Sequence, residues 1–251
     1  MQERDFIAEG LIIRSRDFGD NDKIVTVLSR DFGKFSAIAK GVRKQKSSLR
    51  GSVMPFSHSK LAVTKGRGSL FVITQGEVQN PFLSLSSELE KIAYSAYLCE
   101  LLDIGVPEHK PMPDVFLLAL ACFSILDLHD ELRLAARLFE LRFLGYMGLK
   151  PHLDGCMLCG RKVYNTAFTL SAMRGGVVCE PCLGRNERLI SAGTVQIMKQ
   201  LLTADFTRLL NLKLSEDNYR ELYTAIIPYL DYQLEYSARA RKFLNILQDE
   251  S

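Results

Sequence analysis

The sequence predicts an α+β protein with several domains, in which a small N-terminal β-barrel is followed by an α-helical domain that carries a four-cysteine zinc module. Three observations predict this class. Short β-branched segments fill the first 80 residues, the apolar pattern becomes helical after Pro81, and two Cys-x-x-Cys pairs interrupt the helical part. The expected boundaries are 1–80 for the barrel, 81–150 and 186–251 for the helices, and 151–185 for the zinc module.

The first 80 residues contain about five short strand candidates and no helical pattern between them. Turn signals separate the candidates, for example Phe18–Asp22 and Lys65–Gly68. A five-stranded oligonucleotide-binding (OB) barrel has this number of strands. The candidates span residues 6–13, 23–28, 34–39, 61–64 and 70–74.

From Ser87 onwards, apolar residues recur at helical spacing in six segments. The longest apolar run, Val115 to Leu126, is shorter than the roughly 20 residues that a membrane span needs, so we expect a buried helix there. The six helix candidates span residues 87–104, 113–128, 131–147, 195–202, 218–236 and 238–247.

A window from Phe32 to Gly76 holds nine basic residues and no acidic ones, although the whole chain has a net charge of only +3. A long window of one sign indicates a face that binds a polyanion. The segment 41–51 has no clear period, so we expect a mobile loop that closes over nucleic acid; the alternative is a solvated loop without a partner. The nine residues are Lys34, Lys40, Arg43, Lys44, Lys46, Arg50, Lys60, Lys65 and Arg67.

Four phenylalanines are interleaved with these charges: Phe32, Phe35, Phe56 and Phe71. Aromatic rings can stack on unpaired bases while basic side chains follow the phosphates. The alternative, which we favour for each ring, is a place in the barrel core.

Four of the six cysteines form the pattern C-x2-C-x19-C-x2-C, with Cys156, Cys159, Cys179 and Cys182 as ligands. This spacing predicts one zinc ion held by four thiolates. A closed shell leaves no position for water, so we expect a structural ion that holds about 30 residues without a core of their own. The paired cysteines favour a reduced compartment and the charged first nine residues argue against a secretory signal, so both indicate a cytoplasmic protein.

We expect no enzymatic activity, because the sequence has neither a phosphate-binding glycine loop nor a nucleophile elbow. His129-Asp130-Glu131 matches the H-x-E part of zinc deaminases, but their P-C-x-x-C part is missing. The main alternative to a DNA-binding protein is an RNA-binding or ribosome-associated protein with a zinc knuckle, because a basic window does not distinguish DNA from RNA.

Seven segments carry a family likeness: residues 10–20 (GLIIRSRDFGD), 24–26 (IVT), 39–43 (AKGVR), 54–56 (MPF), 90–101 (EKIAYSAYLCEL), 139–144 (FELRFL) and 241–244 (RKFL). In their order and spacing they resemble the RecO family of bacterial recombination mediators. The resemblance implies a nucleoid-associated DNA repair protein that binds single- and double-stranded DNA and anneals complementary strands. It also implies RecR and the acidic C-terminal tail of SSB as partners and RecA as an indirect one, with no membrane or small-molecule partner.

In the RecO family, basic residues on the OB face bind DNA. The matching region of this chain holds Arg14, Lys34, Lys40, Arg43, Lys44, Lys46 and Arg50, and Lys60, Lys65 and Arg67 complete the candidate DNA-binding set. The family also includes members without the four cysteines, which supports a structural role for zinc.

The family's pocket for the SSB tail lies in the helical domain. Arg133 and Arg137 share a helix face and are candidates for contacts with an acidic tail. The alternative, which we slightly favour, is a helix surface on which these arginines pair with Glu140 or Asp130.

Overall fold

The structure is a computed structural model of the 251-residue chain. It describes residues 5–66, 68, 70–163, 166–183, 188–209, 211–236, 238–242 and 244. The chain divides into two compact units: the first contains Met1–Asp130 and Ala238–Ser251, and the second contains Glu131–Ser237. The three-part domain division expected from the sequence stays a prediction.

A closed β-barrel forms the N-terminal part of the first unit, as predicted. Its strands follow one another around the barrel in the order β1-β2-β3-β5-β4. Neighbouring strands are antiparallel except β3 and β5, which are parallel. The strands are β1 (Asp5–Phe18), β2 (Asp22–Ser29), β3 (Gly33–Ala39), β4 (His58–Lys65) and β5 (Phe71–Asn80).

Alternate residues of each strand fill the barrel. Val25 and Val27 of β2 and Phe35 and Ala37 of β3 belong to the core cluster, so the residues between them lie on the outer face. Phe32 and Phe71 pack against the same cluster, which confirms that these rings belong to the core, as does Phe35. Phe56 lies 6.1 Å from Phe123 between ring centroids.

Strand β1 is longer than predicted and continues to Phe18. A bulge follows Ile12, and pairing with β2 then runs on through Arg14, Arg16 and Phe18. The extension shows no alternation of apolar and polar residues in the sequence. Backbone hydrogen bonds to β2, rather than buried side chains, hold it in place.

Two long helices belong to the first unit: α1 (Leu89–Gly105) and α2 (Pro113–Leu128). The predicted helix at 238–247 is described only in part: residues 240–242 and 244 are helical, and residues 243 and 245–247 lie outside the described residues. α1 packs on β1, and α2 packs on β2. The predicted buried helix is confirmed, since Val115, Phe116 and Leu126 of α2 are fully buried. None of the helices in the described ranges has the length and apolar character needed to cross a membrane.

The described residues of the second unit form four α-helices and a two-stranded hairpin. The helices are α3 (Leu132–Tyr146), α4 (Ala192–Thr203), α5 (Phe206–Leu209) and α6 (Glu216–Gln233), and the hairpin pairs β6 (Phe168–Ser171) with β7 (Gly176–Cys179). Ser215 caps α6 by accepting a hydrogen bond from Asn218 N–H at 3.2 Å, and the Asn218 side chain accepts from Ser215 N–H in return.

The cysteine segment shares a core with a helix outside it, so its packing does not depend on a metal ion alone. Phe168 of β6 and Val177 of β7 are fully buried, and α6 packs against β6. The hairpin was not predicted because its two strands have only four residues each, too few to show a period.

Candidate metal centre and nucleic-acid interface

The four cysteines of the predicted zinc module lie together in the second unit, with their Sγ atoms within 4.8 Å of one another. Cys179 ends β7, and Cys182 ends the 3-10 turn that follows it. Cys156 and Cys159 lie on a tight turn, which closes where Gly160 N–H donates to the Cys156 carbonyl at 2.9 Å. Gly160 has a φ of +71°, a conformation that suits glycine. These four thiols can therefore bind one metal ion.

The sulfur spacing fits a tetrahedral ion. A Zn–S bond of about 2.3 Å places the sulfurs of a tetrahedron about 3.8 Å apart. The Sγ atoms of Cys159 and Cys179 are 3.6 Å apart, which is far longer than a disulfide bond. All four cysteines are free thiols.

Backbone N–H groups favour a thiolate at Cys156. Burial raises the pKa of this thiol, but backbone hydrogen bonds from Cys179, Cys159 and Leu158 outweigh burial and lower the pKa to about 6. Hydrogen bonds with Cys159 and Cys179 raise the pKa of the Cys182 thiol to about 12. Without a cation, the close thiols cannot all be thiolates, because their negative charges repel one another. A bound cation offsets this repulsion, so the donor set suits a metal ion.

A second candidate site lies on the outer face of β1, β2 and β3. Arg14, Arg16 and Phe18 alternate along β1 on this face, and all three are exposed. Thr26 pairs with Arg14 from β2, and Ser36 pairs with Thr26 from β3. Arg14, Arg16, Ile24, Thr26 and Ser36 line a groove of about 190 Å³, which we call the barrel groove.

Residues 40–50, which we call the basic segment, follow β3. They form consecutive turns without a helix or strand, in agreement with the predicted loop. Val42 and Leu49 are buried in the barrel core, so the loop is anchored near both ends. Its mobility stays a prediction. The predicted DNA-binding residues on it are all exposed: Lys40, Arg43, Lys44, Lys46 and Arg50.

Arg43 fastens the basic segment to the turn between β1 and β2. Its backbone N–H donates to the Asn21 carbonyl at 2.9 Å. Its guanidinium donates to the Gly19 carbonyl at 3.4 Å and lies 3.4 Å from the Asp17 carboxylate. Because this turn directly follows Phe18, Arg43 connects the basic segment to the end of β1 beyond the groove, and we call the barrel groove and the basic segment together the basic surface.

Lys34 lies apart from the basic surface. Its side chain is only 9% exposed, and its Nζ lies 3.4 Å from the Asp103 carboxylate of α1 and also donates to the Asp103 carbonyl. The same carboxylate accepts a hydrogen bond from Arg14 at 3.3 Å. A buried, paired lysine does not reach a phosphate, so we leave Lys34 out of the proposed interface.

The last three predicted basic residues differ in their surroundings. Lys60 is exposed on β4, but Glu9 and Glu77 are its cross-strand partners and offset its charge. Lys65 is exposed at the end of β4, beside the loop that takes part in ligand binding in OB folds. Arg67 lies outside the described residues.

The two arginines considered for an acidic tail are engaged within the second unit. Arg133 donates to both oxygens of Glu216, at 2.7 and 2.6 Å, and lies over the Tyr219 ring. Arg137 is buried and donates to Glu140 at 2.7 Å. The predicted pairing of Arg137 with Glu140 is confirmed, but both side chains are buried, so they do not lie on the helix surface that we expected.

Sequence reasoning missed two side chains of the basic surface, Arg16 and Phe18. Both lie on the extension of β1 that was not predicted. Their spacing from Arg14, two and four residues, is the available signal, because it places all three on one face of a longer strand.

These features define a class of protein with an OB barrel, an appended helical part and a four-cysteine cluster. The family model described as "Recombination protein O N terminal" matches residues 1–82 of this chain, and the model described as "Recombination protein O C terminal" matches residues 86–242. The chain is 35% identical to a DNA repair protein RecO of Moorella thermoacetica over an alignment of 243 residues. This alignment covers 96% of this chain and 90% of that protein. It is 32% identical to a DNA repair protein RecO of Desulforamulus reducens over an alignment of 241 residues, which covers 95% of this chain and 93% of that protein.

The chain therefore belongs to the RecO family of DNA repair and recombination proteins.

Proposed function

We propose that this protein binds single- and double-stranded DNA through the basic surface of its barrel and anneals complementary strands, without enzymatic activity. The observation that carries the proposal is the connection, through Arg43 and the β1–β2 turn, of a groove containing Arg14 and Arg16 with the basic segment. Membership of a family whose relatives are named DNA repair proteins supports DNA as the polyanion.

Annealing follows from charge neutralisation. Two complementary strands repel each other through their phosphates, and lysine and arginine side chains on a shared surface lower that repulsion. Because these side chains bind phosphates rather than base edges, we expect little sequence preference.

The proposal includes RecR and the acidic tail of SSB as partners, with RecA loaded indirectly on SSB-coated strands, in the cytoplasm near the nucleoid. Small molecules and membranes have no part in it. The ion pairs of Arg133 and Arg137 argue against using that helix face for the SSB tail, so the proposal assigns no residues to the tail.

We also propose that Cys156, Cys159, Cys179 and Cys182 hold one structural zinc ion. The distances between the sulfurs support this assignment, and four thiolates are a donor set that zinc prefers. The ion would supply a fixed crosslink between the Cys156–Cys159 turn and the end of β7.

The test is the annealing rate of two complementary oligonucleotides, bare and coated with the cognate SSB. We expect the protein to accelerate annealing, and we expect R43A/K44A/K46A to lose most of this acceleration. If about six phosphates are neutralised on a single strand, the logarithm of the binding constant should fall with the logarithm of salt concentration at a slope of roughly −4. The slope should become shallower in the triple variant.

The matched control is K150A/R174A/R220A, which removes the same charge from exposed positions of the second unit. We expect this variant to anneal at the wild-type rate. A slope near zero, or equal loss in both triple variants, would contradict the proposed surface. If single-stranded RNA of matched sequence competes as well as DNA and no annealing occurs, RNA binding replaces the proposal.

A further inference from the structure

We propose that Phe18 is a stacking platform for an unpaired nucleobase and makes the basic surface selective for single strands. The inference rests on the proposed function, because it adds a base contact to the surface that is proposed to bind phosphates. Phe18 lies outside the set of residues predicted from the sequence.

The exposure of Phe18 contrasts with the packing of the other barrel rings. Phe18 is 50% exposed. Phe6 contacts Phe32, Phe35 and Phe71 at centroid distances of 4.2, 5.8 and 5.4 Å in the core. Covering the exposed half of the Phe18 ring with another flat, apolar surface is favourable, because it removes apolar area from water.

The position of Phe18 places the ring where a bound strand would pass. Arg14, Arg16 and Phe18 follow one another on the outer face of β1 at intervals of about 6.6 Å. The next residue, Gly19, accepts a hydrogen bond from Arg43 of the basic segment. Phe18 therefore lies between two groups of phosphate-binding side chains, so a strand held by both groups has its bases beside the ring.

Two of the three acidic groups near Phe18, Asp17 and Asp22, have other partners, and the third, Asp20, is exposed in the β1–β2 turn. Asp22, the cross-strand neighbour of Phe18, accepts a hydrogen bond from Gly41 N–H at 2.7 Å. Asp17 lies 3.7 Å from Lys23 and 3.4 Å from Arg43. Arg43 and Lys23 thus offset the charge of Asp17, and the Gly41 N–H binds Asp22, so Asp20 is the carboxylate near the ring that a bound phosphate has to avoid.

Stacking on Phe18 distinguishes single strands from duplexes. The bases of a duplex are already stacked on each other and paired, whereas those of a single strand present free faces. Arginine contacts with phosphates are available in both forms. We therefore expect Phe18 to contribute to affinity for single strands and to leave duplex affinity unchanged.

The test compares F18L and F18W in the full-length protein by fluorescence anisotropy with a labelled single strand, the same strand containing abasic sites, and a duplex. We expect F18L to bind the single strand about tenfold more weakly, with the salt slope unchanged, and F18W to bind like the wild type. On the abasic strand, wild type and F18L should bind equally. Y232L, which removes a half-exposed ring from α6 in the second unit, is the matched control and should bind like the wild type.

The outcomes separate this inference from the proposed function. If R14A/R16A lowers affinity and the salt slope while F18L binds every probe like the wild type, the stacking role is overturned and phosphate binding stands. If the wild type itself shows no salt-dependent binding to any of the probes, the proposed function fails. Equal loss of single-strand and duplex affinity in F18L would also overturn the stacking role.

Discussion

At the scale of single residues, Asp103 sets how much positive charge the barrel groove presents. Its carboxylate lies 3.3 Å from Arg14, which is exposed in the groove, and 3.4 Å from Lys34, which is buried beneath α1. One carboxylate thus compensates two cations, and only one of these cations is accessible to a ligand. If the barrel groove binds DNA as proposed, Asp103 links the DNA affinity to the stability of the barrel.

We expect D103N to raise affinity for single-stranded DNA about two- to fivefold at low salt, because Arg14 no longer shares its charge with a carboxylate. The same change should lower the free energy of unfolding by about 1–2 kcal/mol, since Lys34 keeps its buried position without a counter-charge. Anisotropy titrations at two salt concentrations and denaturant unfolding measure the two effects.

The double variant R14A/D103N is the control for the affinity gain. In this variant no exposed arginine is freed when the Asp103 carboxylate is removed. We therefore expect its affinity for single-stranded DNA to be no higher than that of R14A. Weaker binding by D103N than by the wild type would show that Asp103 holds Arg14 in its binding position instead of competing with the ligand.

At the scale of elements, the basic segment is a loop with apolar anchors. Val42 and Leu49 reach into the barrel core, while the charged residues between them remain exposed. Gly41, the second residue of the segment, has a φ of +63°, and its N–H donates to Asp22. This construction positions five charges without a helix or strand, so the side chains depend on the two anchors for their placement.

We expect L49A to lower the free energy of unfolding by about 2–3 kcal/mol, because it removes a nearly fully buried leucine side chain. The neighbouring S48A, at an exposed position, should change it by less than about 0.5 kcal/mol. Denaturant unfolding measures both. Faster hydrogen exchange at the amides of the segment in L49A, and not in S48A, would link the anchor to the order of the loop; equal stabilities of the two variants would contradict the anchoring role.

At the scale of the whole molecule, charge and metal ligands belong to different units. The first 80 residues hold 14 basic and 8 acidic residues, and the basic surface lies there. The four-cysteine cluster lies in the second unit. A metal ion bound by the four cysteines would therefore stabilise the second unit.

We expect one zinc ion per chain by elemental analysis and its loss in C182S, while C99A, which changes a buried cysteine of α1, retains it. Removal of the ion by a chelator should lower the melting temperature, because the metal binds the folded state. Single-strand affinity at low temperature should remain within about twofold. Full metal content in C182S would contradict the four-thiolate assignment, and loss of DNA binding on chelation would contradict the separation of roles.

Several features of the molecule could be predicted from the sequence. The five strands, the helices α1, α2 and α3, and the cysteine cluster follow from local signals: alternation, helical period and the spacing of two Cys-x-x-Cys pairs. These signals act over a few residues, and the backbone geometry that produces them depends little on the rest of the chain. The excess of positive charge in the barrel was also evident from composition.

The tertiary structure decided which of these residues share a surface. Leu28 and Lys34 lie on the outer face of the barrel, yet both are buried, since α1 and α2 pack on that face. The other end of the same face stays open and exposes Arg14, Arg16 and Phe18. Burial of a strand residue depends on which distant element covers the strand, and the sequence of the strand alone does not identify that element. Lys34 is therefore a DNA-binding candidate by sequence, whereas in the fold it is buried and paired with Asp103.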